Sequence, residues 1–272
     1  MPEPIVDQTA LLRMTAFIAV LVLMLAWERI APLRPATIPG WRRRAANLGL
    51  AAIGTLLLRL MPGIAAAGAA ARFESGLLHR IGLPAAVEVA FALLVLDLAL
   101  YWQHRAFHAL PVLWRLHRVH HTDPDFDTTT GVRFHPLELI LSMGYKALVA
   151  VAIGASPAVV VAFELVLSCA SLFNHGNVRL PVWLERFARL LLVTPDVHRV
   201  HHSCVRAETD SNFGSVLPWW DRLFGSWCPR PTGGQHGMRL GLDGWTAADA
   251  VGLAQLLIQP VTAGRSGNAP PS

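Results

Sequence analysis

Eight of the twelve histidines in this chain fall into three short motifs whose spacing suits metal binding. Residues three and four apart on an α-helix lie on one face, so each motif is predicted to converge its imidazoles on one point. Gathering imidazoles in this way is costly unless a metal ion takes up their lone pairs. The residues are His104 and His108 in HxxxH, His117, His120 and His121 in HxxHH, and His198, His201 and His202 in a second HxxHH.

Two further histidines, His135 and His175, flank an apolar hairpin and are predicted to lie at the same membrane depth as the motifs. So many nitrogen donors exceed what one metal ion can use, and the sequence therefore indicates two ions. Imidazole binds iron, zinc, copper and nickel alike, so the ligand type leaves the metal open. His79 and His236 stand alone and are interpreted as ordinary polar side chains.

The elements that must position these histidines are long apolar segments. The chain has 272 residues, of which 53% are hydrophobic and 15% charged, against about 25% charged residues in a soluble domain. Five segments are predicted as transmembrane helices, and the second, which contains Arg59 and Pro62-Gly63, is predicted to be kinked or split. The segments are residues 10–32, 47–70, 84–103, 137–155 and 156–174.

Arginines cluster after the first apolar segment, at Arg34 and from Arg42 to Arg44. Positive residues favour the cytoplasmic side of a membrane, so this loop is predicted to be cytoplasmic. The third segment then returns to the cytoplasm at the first histidine motif, and the hairpin over residues 137–174 goes out and comes back. The expected location is the cell inner membrane, with the metal site on its cytoplasmic side.

The predicted fold is an all-α integral membrane protein with four to five transmembrane helices and a histidine-rich helical cap. Residues 1–83 form an N-terminal membrane region and residues 84–230 the catalytic domain. Residues 231–272 are predicted as a loop, a surface helix over 246–259 and a disordered tail from 263. Residues 183–193 (WLERFARLLLV) are amphipathic and are expected to lie on the membrane interface.

At the histidine motifs the chain resembles the fatty acid hydroxylase and sterol desaturase superfamily, in which HxxxH and two HxxHH motifs are separated by a hydrophobic hairpin. The resemblance covers residues 90–228 and includes TTTGVRFHPLE, FNHGNVRLP, TPDVHRVHH and SNFGSVLPWWDRLFGSW. It implies a non-haem di-iron centre that activates O₂ and hydroxylates or desaturates a lipid, with zinc as an alternative occupant after purification. The implied ligands are His104, His108, His117, His120, His121, His175, His198, His201 and His202, with His135 either a tenth ligand or a partner of one.

No part of the sequence is suited to supply electrons. There is no GxGxxG after a strand, and Cys169, Cys204 and Cys228 are too widely spaced to hold an iron–sulfur cluster. A separate reductase, ferredoxin or cytochrome is therefore expected as a partner, beside the lipid substrate and membrane lipids. Nucleic acid is not expected, because no basic stripe is interleaved with aromatic residues.

Three residues inside the apolar segments are candidates to orient the metal ligands. Asp97 and Tyr101 share a helical face with His104 and His108. Glu164 is in register with His175, and it either orients a ligand or pairs with Lys146 of the preceding helix. Arg133 and Glu138 flank His135 and are expected to pair near the headgroup boundary, either as interfacial anchors or in a catalytic role. Most tryptophans near the predicted boundaries are interpreted as membrane-belt residues: Trp102, Trp114, Trp183, Trp219, Trp220 and Trp227.

The sequence fits an oxygenase better than a zinc hydrolase or a non-enzymatic metal or haem protein. A zinc-dependent membrane hydrolase needs an open zinc site with a positioned glutamate, as in HExxH, and that motif is absent. A non-enzymatic metal transporter would place polar ligands at mid-membrane in broken helices, and a haem-binding carrier would use isolated histidines on facing spans. Histidine clusters at one membrane edge fit neither class well.

Overall fold

The protein is described by a computed structural model over residues 3–61, 65–71 and 76–263. Within these ranges the chain forms α-helices and short 3-10 turns, with one isolated β-bridge between Ser203 and Leu240. Pro62-Gly63 and the tail from residue 264 lie outside the described residues. The α-helices are α1 (Glu3–Ile30), α2 (Gly40–Arg59), α3 (Ala66–Ala70), α4 (Leu77–Ile81), α5 (Ala85–Ala109), α6 (Pro111–His121), α7 (Pro136–Ile153), α8 (Pro157–Asn174), α9 (Val182–Leu191), α10 (Pro195–His201), α11 (Arg206–Thr209), α12 (Trp219–Leu223), α13 (Gly234–Gly237), α14 (Ala247–Val251) and α15 (Leu253–Ile258).

Four helices in the described part of the chain are long and apolar enough to cross a membrane. They are Thr9–Ile30 within α1 and the whole of α5, α7 and α8. These helices pack as one bundle, α1 on α8 and α5 against both α7 and α8. The apolar core between them includes Leu96, Ala150 and Phe163, all nearly inaccessible to solvent. The four-helix count confirms the predicted membrane fold.

The predicted second span, residues 47–70, differs from the structure. Helix α2 begins seven residues earlier and is not one of the four apolar helices, because its first half carries the arginine triplet and Asn47. The described residues before and after this segment nevertheless lie at opposite ends of the bundle. Arg43 lies at the histidine end, while Gly76 packs so closely on the opposite turn that a side-chain carbon would fall 2.0 Å from the Gly154 nitrogen.

The helices that carry histidines begin and end at recognisable signals. Proline occupies the first turn of α6, α7, α8 and α10, where the lacking N–H is not needed. Helix α7 ends at Gly154, whose φ of 73° favours glycine, and the Ser156 side chain caps α8 by accepting from Val159 N at 3.4 Å. The predicted hairpin over residues 137–174 is therefore formed, with its turn close to the expected position.

Of the two peripheral helices expected from the sequence, one is formed and the other is divided in two. Helix α9 is amphipathic, and Trp183 and Phe187 are 65% and 66% exposed on its outer face. The surface helix expected over 246–259 is instead two short helices, α14 and α15, that part at Gly252. Leu256 of α15 is fully buried against Leu50 and Val119, so this region packs on the bundle beside the first histidine triplet.

A buried network of charged and polar groups fixes the segment between α6 and α7. Arg43 of α2 donates to Asp123 at 2.8 Å and to Asp127, and Asn47 donates to Thr129 at 3.0 Å. Arg43 and the two aspartates are all 2% exposed, so the charges are paired where water is excluded. This network ties α2 to the segment that follows the first histidine triplet.

Arg133 makes four hydrogen bonds that hold the same segment in place. It does not pair with Glu138, contrary to the expectation. Its guanidinium donates to Val119 O at 2.7 Å, Asn47 Oδ1 at 2.9 Å, Ala250 O at 2.7 Å and Thr122 Oγ1 at 3.0 Å. Burial lowers the pKa of Arg133 to about 10, and the group stays charged at neutral pH. It therefore joins α2, α6 and α14 through one side chain.

Replacing Arg133 by methionine is expected to lower the free energy of unfolding by about 2–4 kcal/mol, since four buried acceptors lose their donor. Lysine at this position should restore little, because an ammonium lacks the planar fork of donors. Thermal unfolding in detergent measures the effect, with Arg186→Met on exposed α9 as the matched control. Equal unfolding temperatures for Arg133→Met and wild type would contradict the role assigned to this network.

Candidate metal centre

Nine imidazoles meet at one end of the bundle in two groups. In each group the candidate ligand atoms all lie within 4.8 Å of one another. Eight of the nine side chains are buried and the ninth, His104, is partly buried. The first group is His104, His108, His117, His121 and His201, and the second group is His120, His175, His198 and His202.

Each HxxHH triplet is divided between the two groups. His117 and His121 of α6 belong to the first group, while His120 between them belongs to the second. In α10 the division is reversed, because His198 and His202 serve the second group and His201 the first. Residues four apart on a helix differ by about 40° around its axis, whereas the residue at i+3 lies about 60° to the other side of i. The expectation that each triplet converges on one point is therefore wrong.

The ring nitrogens approach one another at the spacing of metal ligands. The Nε2 atoms of His104 and His117 are 3.1 Å apart, and those of His108 and His121 are also 3.1 Å apart. In the second group, His175 Nε2 lies 3.0 Å from His198 Nε2. Two nitrogens bound to one ion at about 2.1 Å and at right angles would be about 3.0 Å apart.

The other ring nitrogen, Nδ1, determines the tautomer of several of these histidines. Nδ1 of His104 lies 2.8 Å from Phe213 O, Nδ1 of His175 2.8 Å from Ser171 O, and Nδ1 of His201 2.7 Å from Ser211 O. A carbonyl oxygen only accepts, so each of these Nδ1 atoms carries the proton and donates it. Each Nε2 then presents a lone pair.

Two carboxylates act on the first group in the same way. Nδ1 of His117 donates to Glu138 at 2.6 Å, and Nδ1 of His108 donates to Asp210 at 3.1 Å. A carboxylate behind a ligating histidine fixes its ring orientation and raises its basicity. In this arrangement the Nε2 lone pairs of both histidines point into the first group.

The donor set fits metal ions better than it fits a hydrogen-bonded cluster. Lone pairs that face each other at 3.1 Å, as at His104 and His117, repel unless a cation lies between them. Within the described part of the chain, Nε2 of His201 and Nε2 of His202 are buried without a hydrogen-bond partner. Burial lowers the pKa of His117 and of His175 to about 3, so both are neutral ligands at pH 7.

The same holds for the other histidines of α6 and α10. Burial, followed by repulsion from neighbouring imidazoles, holds their pKa values well below the ordinary value of 6.5. Neutral imidazole is the form that binds metal. The residues concerned are His120, His121, His198, His201 and His202.

Aromatic rings enclose the imidazoles and keep water from them. Phe134 stacks on His120 with ring centroids 4.5 Å apart, and Phe126 stacks on His175 at 5.4 Å. Phe107, Trp114 and Phe213 pack on imidazoles of the first group. Trp114 is 4% exposed and is thus a buried residue of the centre rather than the membrane-belt residue expected from the sequence.

His135 is not brought to either group. Its Nδ1 accepts from Leu137 N at 3.2 Å and so caps α7, and its Nε2 faces Leu257 O at 3.1 Å. Both ring nitrogens are therefore occupied by backbone groups. The nine remaining histidines named from the sequence all lie in the two groups.

The three candidate orienting residues form their hydrogen bonds and ion pairs with residues other than the histidines of the groups. Asp97 accepts from Leu217 N at 3.2 Å and from Trp220 Nε1 at 2.8 Å. The Tyr101 hydroxyl lies 2.8 Å from Ser226 Oγ. Helix α5 does put both residues on the face of His104. Tyr101 lies one turn and Asp97 two turns before His104, and both bond to the segment that follows the second triplet.

Glu164 takes the alternative role considered for it. It accepts from Lys146 at 2.9 Å, and Arg13 lies 2.7 Å from its second oxygen. This triad joins α1, α7 and α8 within the apolar part of the bundle. An ion pair satisfies an acid there that would otherwise be costly.

The residues that do orient ligands, Glu138 and Asp210, were not identified from the sequence. Glu138 follows His135 by three residues in the first turn of α7, a position from which it faces α6 rather than its own neighbours. Asp210 follows His202 by eight residues, and no helical spacing connects it with His108. The first contact comes from the packing of α7 on α6, and the second from the position of α11 beside α5.

The fold and the site define a helical membrane protein in which two groups of histidines that could each hold a metal ion lie at one end of the bundle. The model of the family described as fatty acid hydroxylase matches residues 89–226. The chain belongs to the fatty acid hydroxylase family, which confirms the resemblance seen in the motifs.

Several curated proteins are similar to the chain over its histidine-containing part. Ornithine lipid hydroxylase OlsE of Rhizobium tropici is 31% identical over 180 residues, which cover 65% of this chain and 51% of that protein. Human alkylglycerol monooxygenase is 31% identical over 142 residues, covering 50% and 29% respectively. Delta(7)-sterol 5(6)-desaturase ERG3B of Gibberella zeae is 27% identical over 131 residues, covering 48% and 38%. The chain thus spans about half or less of these relatives, and no solved structure matches it significantly.

Removing the carboxylate behind His117 is expected to weaken metal binding. Glu138→Ala should lower metal affinity about 10- to 100-fold, because His117 loses the group that fixes its tautomer and orientation. Competition with a chromophoric chelator measures the affinity, and circular dichroism checks that the helices are intact. Glu88→Gln, at the opposite end of α5, is the control, and an affinity loss no larger in Glu138→Ala than in this control would contradict the role of Glu138.

Proposed function

We propose that this protein is a membrane-bound non-haem di-iron oxygenase that uses O₂ to hydroxylate or desaturate a lipid. The observation that carries the proposal is the division of nine imidazoles, eight of them buried, into two groups whose lone pairs converge. Membership of the fatty acid hydroxylase family supports iron as the metal and a lipid as the substrate. Relatives named as lipid hydroxylases, monooxygenases and sterol desaturases support the same reaction class.

The proposed ligand set is the nine histidines of the two groups, without His135. The iron pair, when bound, would supply O₂ activation and the removal of hydrogen from an unactivated C–H bond. Three carbonyl groups and two carboxylates hold five of the nine imidazoles in the tautomer that binds metal. The surrounding aromatic rings exclude water, which protects a reactive centre from side reactions.

A zinc hydrolase is less well supported than an oxygenase. Hydrolysis needs a carboxylate that is free to act as a base on a metal-bound water. Among the described residues, the carboxylates bonded to a histidine of the groups are Glu138 and Asp210, and each is occupied by an Nδ1 atom. Over residues 3–61, 65–71 and 76–263, both groups consist of histidines and include no acidic residue.

The orientation in the membrane is part of the proposal. Arg43 and Arg44 bond to Asp127 at the histidine end of the bundle, so the arginine-rich loop and the metal centre share one side. Positive residues favour the cytoplasmic side, which supports a cytoplasmic centre in the inner membrane. A cytoplasmic centre would also be accessible to the separate electron donor that the chemistry requires.

The test is incorporation of oxygen from ¹⁸O₂ into membrane lipids. Cells that produce the protein are expected to accumulate a lipid carrying one ¹⁸O atom, or a lipid with one added double bond, and His201→Ala should abolish the product because it removes a ligand. Mass spectrometry of extracted lipids, before and after fragmentation, measures both. Identical lipid profiles for wild type and His201→Ala under O₂ would contradict the proposed function.

A further inference from the structure

Exposed apolar and basic residues occur in two segments that meet where Arg206 lies over Trp114, a ring that packs on the first histidine group. Its residues are Leu110 and Val112 at the turn between α5 and α6, Arg115 of α6, and Val205 and Arg206 at the start of α11. Leu110, Val112 and Val205 are 52%, 74% and 49% exposed. Both arginines are exposed as well. We call these five residues the α6–α11 patch.

The α6–α11 patch follows the end of α5, beyond Trp102. Trp102 is 44% exposed and packs on Phe224 with ring centroids 4.9 Å apart. Tryptophan concentrates at membrane interfaces, which is the reason to assign Trp102 to the boundary. Helix α5 continues for seven residues beyond Trp102, about 10 Å at 1.5 Å per residue. This assignment puts the patch on the aqueous side of the boundary.

Trp114 connects the α6–α11 patch to the metal centre. The guanidinium of Arg206 lies 5.8 Å from the centroid of the Trp114 ring. On its inner side the same ring lies 5.0 Å from His108 and 5.5 Å from His121. One buried aromatic ring thus separates the protein surface from two candidate ligands.

A second path joins the α6–α11 patch to the same ligand. Arg206 pairs with Asp210, and Asp210 accepts from His108 Nδ1 at 3.1 Å. Two independent contacts therefore run from exposed Arg206 to His108. Electron transfer falls off steeply with distance, so a donor seated here would be close to the metals.

The charge of the α6–α11 patch specifies the kind of partner. Among the described residues, no acidic side chain pairs with Arg115, and Asp210 is already paired with Arg206. A small apolar centre with a positive rim suits a weak and transient complex with an acidic protein. The chain itself carries a net charge of +5, which would steer such a partner toward it.

We propose that the α6–α11 patch docks a small acidic one-electron carrier protein, an inference that rests on the proposed oxygenase function. One O₂, one C–H bond, two electrons and two protons give one alcohol and one water. Desaturation with the same two electrons and two protons gives an alkene and two waters. Two carriers, each oxidised by one electron, would therefore dock in succession for each product.

Binding of an acidic plant-type [2Fe–2S] ferredoxin tests the docking surface without requiring bound metal. The protein is placed in nanodiscs of zwitterionic lipid, and fluorescence anisotropy of labelled ferredoxin is measured at low ionic strength. Arg115→Glu and Val112→Asp are each expected to weaken binding about tenfold, whereas Arg186→Glu on α9 should bind as wild type. Absence of binding by wild type, or equal binding by all variants, would overturn the proposal.

Reduction kinetics then separate docking from the oxygenase function itself. Reduced ferredoxin should be oxidised about tenfold more slowly by Arg115→Glu, while reduction by dithionite with methyl viologen stays at the wild-type rate because a small mediator needs no docking surface. An equal loss with both reductants would contradict docking at this patch. If wild type accepts no electrons from the mediator, the proposed function fails while the anisotropy result still decides the docking surface.

Discussion

The structure depends on placing nine imidazole rings in the interior with their lone pairs directed at one another. A buried polar group without a partner costs about 1–3 kcal/mol, and here the unpartnered nitrogens also repel. Among the described residues, His201 and His202 each keep a buried Nε2 without a hydrogen-bond partner. A metal ion bound in each group would remove this penalty, because a neutral imidazole presents a free lone pair to it.

The rest of the chain can be understood as support for that arrangement. The four apolar helices bring α5, α7 and α8 to one end of the bundle, where α6 and α10 add the two triplets. The charged network around Arg43 and Arg133 lies at the histidine end of the bundle and fixes the segment between α6 and α7. Glu138 connects the two layers, since it belongs to a spanning helix and bonds to His117 of α6.

Patterns that repeat along one helix were predictable from the sequence, and contacts between helices were not. Hydropathy identified α1, α5, α7 and α8, and spacing identified the nine histidines. Helical geometry alone also places His120 on a different side of α6 from His117 and His121. Asp97 and Glu164 share faces with ligands as expected, but their partners come from other helices, and the same is true of Glu138 and Asp210. The start of helix α2 was not predicted, because its first turns carry Arg42 to Arg44 and Asn47, and Arg43 and Asn47 bond to groups of the segment after α6.

Metal analysis of the purified protein is the most direct test of two separate positions in one centre. After iron-replete growth and anaerobic handling, elemental analysis should find two irons in each wild-type chain. His120→Ala and His201→Ala, which each remove a ligand from a different group, should each retain about one, and the double variant should retain none. Wild-type protein without a bound transition metal, or full iron occupancy in the double variant, would contradict the account.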